Sequence, residues 1–244
     1  MILRMDFKLK EPLVLPVNYQ HLVQSAIYSL IREEETIGKH LHDQGALYDK
    51  RQFRLFVFGR LRGNCTVKRG RIGFWEKVSL EIRSIYPELI EAISNKAEAE
   101  GIRLGRTHLE PFRIFISDKH IEEHNIFIEM DSPIVAYRTL EDKKTVFYGP
   151  QEEEFYTLVL DNLRRKYKAY SGEDIPEEKL PRLRLLKAVE RDKIVTKYKN
   201  FYISGWGGLY QLTGEPEYLN FLFQTGIGSK NAQGFGMFQI VEEE

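Results

Sequence analysis

Residues 226–241 read GIGSKNAQGFGMFQIV, which places four glycines in eleven residues and then runs into strand-forming side chains. Glycine lets a backbone turn through conformations other residues avoid and lets it come close to a ligand, often a phosphate. Two familiar phosphate cradles do not fit. A P-loop requires Gly-x-x-x-x-Gly-Lys-Ser/Thr between a strand and a helix, but here Lys230 follows Ser229 and no Gly-Lys-Ser/Thr occurs. A dinucleotide fingerprint requires Gly-x-Gly-x-x-Gly at a strand-to-helix turn. Asn231 stands where its third glycine belongs, and the order is reversed, with a helical run over Glu215–Phe223 before the loop and a strand over Phe235–Val241 after it. Mononucleotide and dinucleotide binding are thereby set aside. Taken alone, the loop also reads as a flexible turn before a closing strand.

Upstream of the loop, Ile126–Tyr137 is extended and Glu141–Lys144 reads as a hairpin turn before Thr145–Tyr148. A helix follows from near Pro150 with Phe155, Leu158, Val159, Leu163 and Tyr167 as its apolar stripe, then strands over Arg182–Val189 and Ile194–Ser204. A similar order fills the first half. Leu3, Met5, Phe7 and Leu9 alternate with charged residues, the period of a half-buried strand. Tyr19, Leu22, Val23, Ala26, Ile27, Leu30 and Ile31 keep the spacing of an amphipathic helix. A short helical piece over Ile37–His42 precedes strands at Phe53–Phe58 and Trp75–Ile82, and a helix from Pro87, well placed at a first turn, runs to Gly101. Strands at Ile102–Leu104 and Phe112–Ile116 close this half before the polar stretch Ser117–Asn125. The pattern predicts an α+β chain of two tandem ferredoxin-like (RRM-like) domains, residues 1–120 and 121–244, the second ending in the glycine-rich loop. RNA-recognition motifs share that architecture, although architecture alone does not give function.

Composition bounds the partners. A chain of 244 residues with 42% hydrophobic side chains can bury two cores of ordinary domain size. Its apolar runs are too short for a membrane span, and the N-terminal MILRMDFKLKEPLVLP does not look like a signal peptide. The single cysteine, Cys65, excludes an intramolecular disulfide and fits a reducing cytoplasm. Formal charge is zero, from 36 Lys and Arg against 36 Asp and Glu, but it is polarised. Eight basic residues and no acid lie between Lys50 and Arg71, and a second basic run begins at LRRKYKAY, Leu163–Tyr170. Acids collect at Glu33–Glu35, Glu152–Glu154 and Glu242–Glu244.

Tyr28 lies nearly opposite the apolar stripe of its helix, where it does not serve the core. His40 and His42 follow just before the basic stretch. Two residues apart on a helix, they point in different directions and make a poor chelating pair, so no metal and no cofactor are expected. A tyrosine, a histidine and a cation suit another chemistry. RNA carries its own nucleophile in the 2′-hydroxyl, and cleavage then needs a proton acceptor, a proton donor for the departing 5′-oxygen and a positive charge for the phosphorane. Histidine can donate or accept near neutral pH. Tyrosine, with a pKa near 10, can orient or share the 2′-hydroxyl proton. Lys50 or Arg51 can supply the charge.

The sequence resembles the CRISPR-associated endoribonucleases that process repeat transcripts into guide RNAs, the sixth Cas family. The most specific match is G-h-G-x(5)-G-h-G, met by Gly226-Ile227-Gly228, five residues, and Gly234-Phe235-Gly236. QSAIYSLI around Tyr28, LHD around His42 and DSPIVAY at Asp131–Tyr137 add weaker matches, and the resemblance covers nearly the whole chain. It implies a metal-independent RNase that leaves a 2′,3′-cyclic phosphate and a 5′-hydroxyl, with Tyr28 as proton acceptor, His42 as proton donor and Lys50 as the cation. Arg51 competes with Lys50, and His40 with His42. It further implies a loop beside the cleft between the domains, in which Gly226, Gly228, Gly234 and Gly236 let backbone approach RNA phosphates and Lys230 and Asn231 add contacts. Arg51 and Arg54 of the basic stretch would line the same cleft. Phe56, Phe58, Tyr198 and Tyr202 are conceivable base-stacking platforms but read more readily as core. Repeat RNA is the implied partner, with a multi-subunit guide-RNA complex and a homodimer both compatible with the chain. The competing reading is a module of the same fold that holds repeat RNA without cutting it. A third, a metal-dependent nuclease using the glutamate clusters, predicts dependence on magnesium.

Overall fold

The structure, a computed structural model, describes residues 1–31, 46–48, 51–198 and 201–242, with 46–48 and 51 as backbone only. His40, His42 and Lys50, and the short helix expected over 37–42, lie outside the described residues. Eight strands and four helices form two copies of one topology. The first is β1 (Ile2–Lys8), α1 (Gln20–Ile31), β2 (Phe56–Phe58), β3 (Arg71–Ser84), α2 (Pro87–Glu100) and β4 (Pro111–Ser117). The second is β5 (Asn125–Met130), α3 (Glu153–Ser171), β6 (Arg182–Lys187), β7 (Leu209–Thr213), α4 (Pro216–Thr225) and β8 (Phe238–Val241). In the first sheet β1 lies between β4 and β3, and β3 carries β2; in the second, β5 lies between β8 and β7, and β7 carries β6. Every one of these pairs is antiparallel. This is the ferredoxin-like order twice over.

Each helix buries the stripe its sequence dictates. In α1 Val23, Ala26, Ile27, Leu30 and Ile31 are buried, and in α3 Phe155, Val159, Leu163 and Tyr167. The ends follow local chemistry. Pro87 opens α2, and Gly172 takes the left-handed cap after α3 while its N–H bonds the Lys168 carbonyl. One core gathers Leu3, Met5 and Phe7 with α1 and α2; the other gathers Ile126, Ile128 and Tyr210 with α3 and α4.

Three segments depart from the expected strands. Phe53–Phe58 is broken: Arg51–Phe53 pairs with Ala46–Tyr48, and β2 begins only at Phe56. Between them Leu55 is buried in the second core, which draws the chain away from its sheet. Ile126–Tyr137 splits into β5 and the strand Ala136–Thr139, with Pro133, which has no N–H to donate, in the gap. Ile194–Ser204 belongs to a hairpin of two strands, Lys193–Tyr198 and Phe201–Trp206. Other strands escaped the pattern altogether, among them β7, five residues between glycines, the wholly exposed Arg62–Lys68, which pairs with the outer end of β3, and Leu13–Pro16, which pairs with that strand too.

The two sheets meet at Arg83 on β3, which is 1% exposed. Its guanidinium donates to the Phe238 carbonyl (2.8 Å) across the seam, stacks 3.9 Å from the Phe223 ring, and pairs with Glu81 at 2.6 Å.

Candidate nucleic-acid cleft

After α4 the chain doubles back on itself. Gly228 (φ +69°) and Gly236 (φ +78°) are left-handed, and space forbids a side chain at either. A Cβ on Gly236 would stand 2.0 Å from the Ile227 carbonyl oxygen, and one on Gly228 2.8 Å from that of Val135. The backbone donors of the loop are largely used in folding it. Ile227 N–H bonds the Gly236 carbonyl (2.8 Å), Ser229 N–H that of Val135 (2.8 Å) and Gly236 N–H that of Pro133 (2.9 Å). Met237 N–H bonds the Ser132 hydroxyl at 3.0 Å. The DSPIVAY segment is thus a rail to which the loop is lashed. All four glycines are buried, so they shape the loop, while its half-buried tip, Ser229, Lys230, Ala232 and Gln233, reaches the cleft.

That cleft encloses about 790 Å³ between the two halves. The first half contributes Gln24 and Tyr28 from α1 and Gln52–Leu55; the second contributes Tyr137–Thr139, one face of α3 and the loop tip. Arg54, Arg138, Arg165, Lys166 and Lys230 make it strongly cationic, and Asp161 is its single carboxylate among the described lining residues. Asp161 is engaged by Arg164 and Arg165 on its own helix. Gln24 ties the walls together by donating to the Ala232 carbonyl at 2.8 Å and accepting from the Tyr198 hydroxyl.

Tyr28 is half-buried, its ring edge-on to Phe56 at 6.1 Å. Burial pushes its phenol pKa up, and the Arg54 guanidinium draws it partly back. It is therefore a phenol at neutral pH, suited to orienting a hydroxyl. Arg54 donates to Gln52 at 2.9 Å and lines the same cleft. Lys230, left-handed at φ +66°, sets its ammonium 4.8 Å from the centre of the Tyr137 ring, and burial lowers its pKa. The structure thus brings together Tyr28, Arg54, Lys230 and Asn231, while the side chain of Arg51 is not described. Of the conceivable stacking platforms, Phe56, Phe58 and Tyr198 are buried in the cores, and Tyr202 is exposed on its hairpin.

Two roles went unread. Lys166 is not a surface member of the basic run but is 3% exposed beneath the loop. It donates to the Gly226 carbonyl (2.6 Å), to Asn231 Oδ1 (3.1 Å) and to Thr225 Oγ1 (3.4 Å). Asn231 in turn donates to the carbonyls of Ile227 (3.2 Å) and Phe235 (3.0 Å), closing the loop from inside. The signal for Lys166 was its spacing: Phe155, Val159, Leu163 and Lys166 step by four, four and three along the buried face.

Known proteins share this chain's sequence and fold. Residues 116–240 match the family model for the C-terminal part of CRISPR-associated protein Cas6. The CRISPR-associated endoribonuclease Cas6 1 of Methanocaldococcus jannaschii is 28% identical over 242 residues, covering 95% of this chain and 89% of that protein. A CRISPR-associated endoribonuclease-like protein Cas6 of Pyrococcus furiosus is 29% identical over 202 residues, covering 70% of this chain and 80% of that one. A solved CRISPR-associated protein Cas6 superposes over 99% of both chains with a TM-score of 0.81 at 25% identity. With its C-terminal half matched from the last strand of the first sheet through the glycine loop, the chain belongs to the Cas6 family.

Proposed function

We propose that this chain is an endoribonuclease that cuts CRISPR repeat RNA precursors into guide RNAs, without a metal, by attack of the 2′-hydroxyl on the adjacent phosphate. The carrying observation is the cleft itself, where Tyr28 and Arg54 from the first half face the loop tip of the second across one cationic space. The endoribonuclease relatives that match nearly the whole chain support the same reading. In the reaction the 2′-oxygen forms a bond to phosphorus as the 5′-oxygen leaves, giving a 2′,3′-cyclic phosphate and a 5′-hydroxyl. Tyr28, a phenol at neutral pH, orients the 2′-hydroxyl and takes up its proton only as its own phenolic proton passes to water, so that the bond forms with the proton relayed to solvent. His42 protonates the leaving 5′-oxygen, and Lys50, with Arg51 as competitor, meets the charge on the phosphorane. Residues 1–120 act as the half carrying the nucleophile-activating group, and residues 121–244 as the half that fixes the backbone.

Phosphates are held by Lys230 and Arg54, while Asn231, whose amide is spent on Ile227, Phe235 and Lys166, acts with the four glycines through the shape they give the loop. Such contacts make binding salt-dependent. The test is cleavage of the array's repeat RNA in EDTA beside a copy carrying one 2′-deoxy at the cut. A single cut in the plain RNA, absent from the deoxy copy, establishes the reaction. Cleavage that requires added magnesium overturns it. Tyr28→Phe and His42→Ala then slow cutting by about a hundredfold or more while sparing binding. The second reading, repeat RNA held but not cut, is favoured by relatives named only endoribonuclease-like. Tight binding with no cut in either RNA would select it.

A further inference from the structure

The ammonium of Lys166 sits in a site built to receive three N–H donors. Asn231 turns its Oδ1 toward Lys166 because its own NH2 is held by Ile227 and Phe235. Thr225 Oγ1 gives its proton to the Phe221 carbonyl (2.7 Å), so it can only accept from Lys166. The Gly226 carbonyl is the third acceptor. A neutral amine has two donors and a lone pair, which one of these acceptors would have to face; an ammonium satisfies all three. Yet no carboxylate among the described residues lies within ion-pair distance of its Nζ, and burial lowers its pKa to about 7. A charge buried without a counter-charge is costly unless something supplies one.

Resting on the RNA-binding reading above, we propose that Lys166 is the positioning residue of the glycine loop, and that an RNA phosphate entering the cleft is the missing counter-charge of its ammonium, so that binding takes up a proton at this side chain. Lys166 lines the cleft from behind the loop. It joins the turn that enters the loop, at Gly226, to the turn at its tip, at Asn231, and so holds Lys230 where a phosphate would meet it. Among the described residues, the charged and titratable groups facing that space are Asp161 and Arg165 on its own helix, Lys230 on the loop, Tyr28 on α1, Arg54 ahead of β2, and Tyr137 and Arg138 across the cleft. Four of these are cations and the tyrosines are neutral phenols; the carboxylates nearby are already engaged, Asp161 by Arg164 and Arg165 and Glu154 by Arg138, which leaves the phosphate as the anion that enters.

The coupling has a definite sign. Above about pH 7 the amine is largely neutral in the free protein, and a phosphate nearby favours its charged form. Affinity therefore falls as pH rises, by up to about tenfold per unit. The probe is a single-stranded repeat RNA with 2′-deoxy at the cut, titrated calorimetrically into the full chain at pH 6.5 and 8.5 in buffers of differing ionisation enthalpy. Wild-type protein is expected to bind about tenfold more weakly at pH 8.5, with net proton uptake there, and Lys166→Met to lose both the uptake and the pH dependence. A purely structural lysine would weaken binding equally at both pH values. Should the methionine variant fail to fold, the 13C-labelled Lys166 resonance in wild-type protein reads its titration with and without RNA, and a midpoint unmoved by RNA overturns the proposal. Equal affinity at both pH values overturns it while leaving the RNA reading intact. No binding at either pH removes both.

Discussion

Arg83 at the seam between the two sheets and Lys166 beneath the glycine loop are both buried cations, 1% and 3% exposed, but their surroundings are opposite in chemistry. Arg83 has a carboxylate at 2.6 Å, an aromatic face to stack on and a carbonyl of the other half to bind. Everything its charge needs is present in the folded chain, and its work is to hold one half to the other. Lys166 has three neutral acceptors and no carboxylate partner among the described residues. Its geometry is complete while its electrostatics are not. The difference teaches where to look for function in a fold that spends many cations. A buried charge that is paired explains structure, and one that is hydrogen-bonded without a counter-charge asks what anion arrives.

The largest effect expected from this comparison is at the seam. Arg83→Met strands Glu81 and leaves the Phe238 carbonyl without its donor, which costs about 3–5 kcal/mol of folding stability by analogy with other broken buried pairs. Because a guanidinium stays charged throughout the accessible range, the loss should be the same at pH 6.5 and 8.5. Urea unfolding measures it, and a loss below about 1 kcal/mol would mean that Arg83 does not join the halves.

Next in size is Lys166→Met. Three buried acceptors lose their donor, each at about 1–3 kcal/mol when left wholly unpaired, with relaxation of the loop recovering part. The sharper signature is a slope. The folded pKa of Lys166, about 7, lies below the ~10.4 of an unfolded lysine, so between these values the unfolded chain binds more protons. Stability from this group is fully present above the unfolded pKa and is lost as pH falls through the folded one. Wild-type protein should therefore gain roughly 1 kcal/mol per pH unit over the variant on going from pH 7 to pH 9. Parallel stability curves for the two proteins would show that the amine is not depressed and that the contrast with Arg83 is empty.

How much of this was legible follows from what a sequence encodes. The stripes of α1 and α3 could be read because burial repeats at helical period, and the tandem fold followed from the order of such stripes. β7 could not, because LYQLT between glycines is shorter than the window in which alternation shows. Nor could the break at Leu55, which is set by a core more than sixty residues downstream in sequence. The glycine loop was readable as a motif, but its reason was misplaced: positive φ and close packing against Ile227 and Val135 account for the glycines, and the face toward the cleft is the tip between them. The Tyr28 placement was readable from the helix wheel up to its environment, because which wall faces a surface tyrosine is decided by the other half of the chain. Lys166 was hidden by its neighbours, since Arg164, Arg165 and Lys168 are more exposed and one residue type in a run looks like the next.

The smallest effect sharpens the comparison from the solvent side. Lys230 shares the cleft with Lys166, but its ammonium lies over the Tyr137 ring instead of inside a cage of acceptors. Lys230→Gln exchanges the ammonium for a neutral amide one atom shorter and keeps the left-handed backbone, so stability should change by about 1 kcal/mol, the scale of one cation–π contact. RNA affinity should fall several-fold, and the slope of log K against log salt should drop by about one, with little change in pH dependence. Lys166→Met should do the reverse, altering the pH dependence more than the salt slope, because an amine that is partly neutral before binding takes up a proton when the phosphate arrives, whereas an ammonium already charged mainly releases counterions. If both variants change only the salt slope, the buried lysine is behaving as a surface one, and the acceptors around it serve the loop alone.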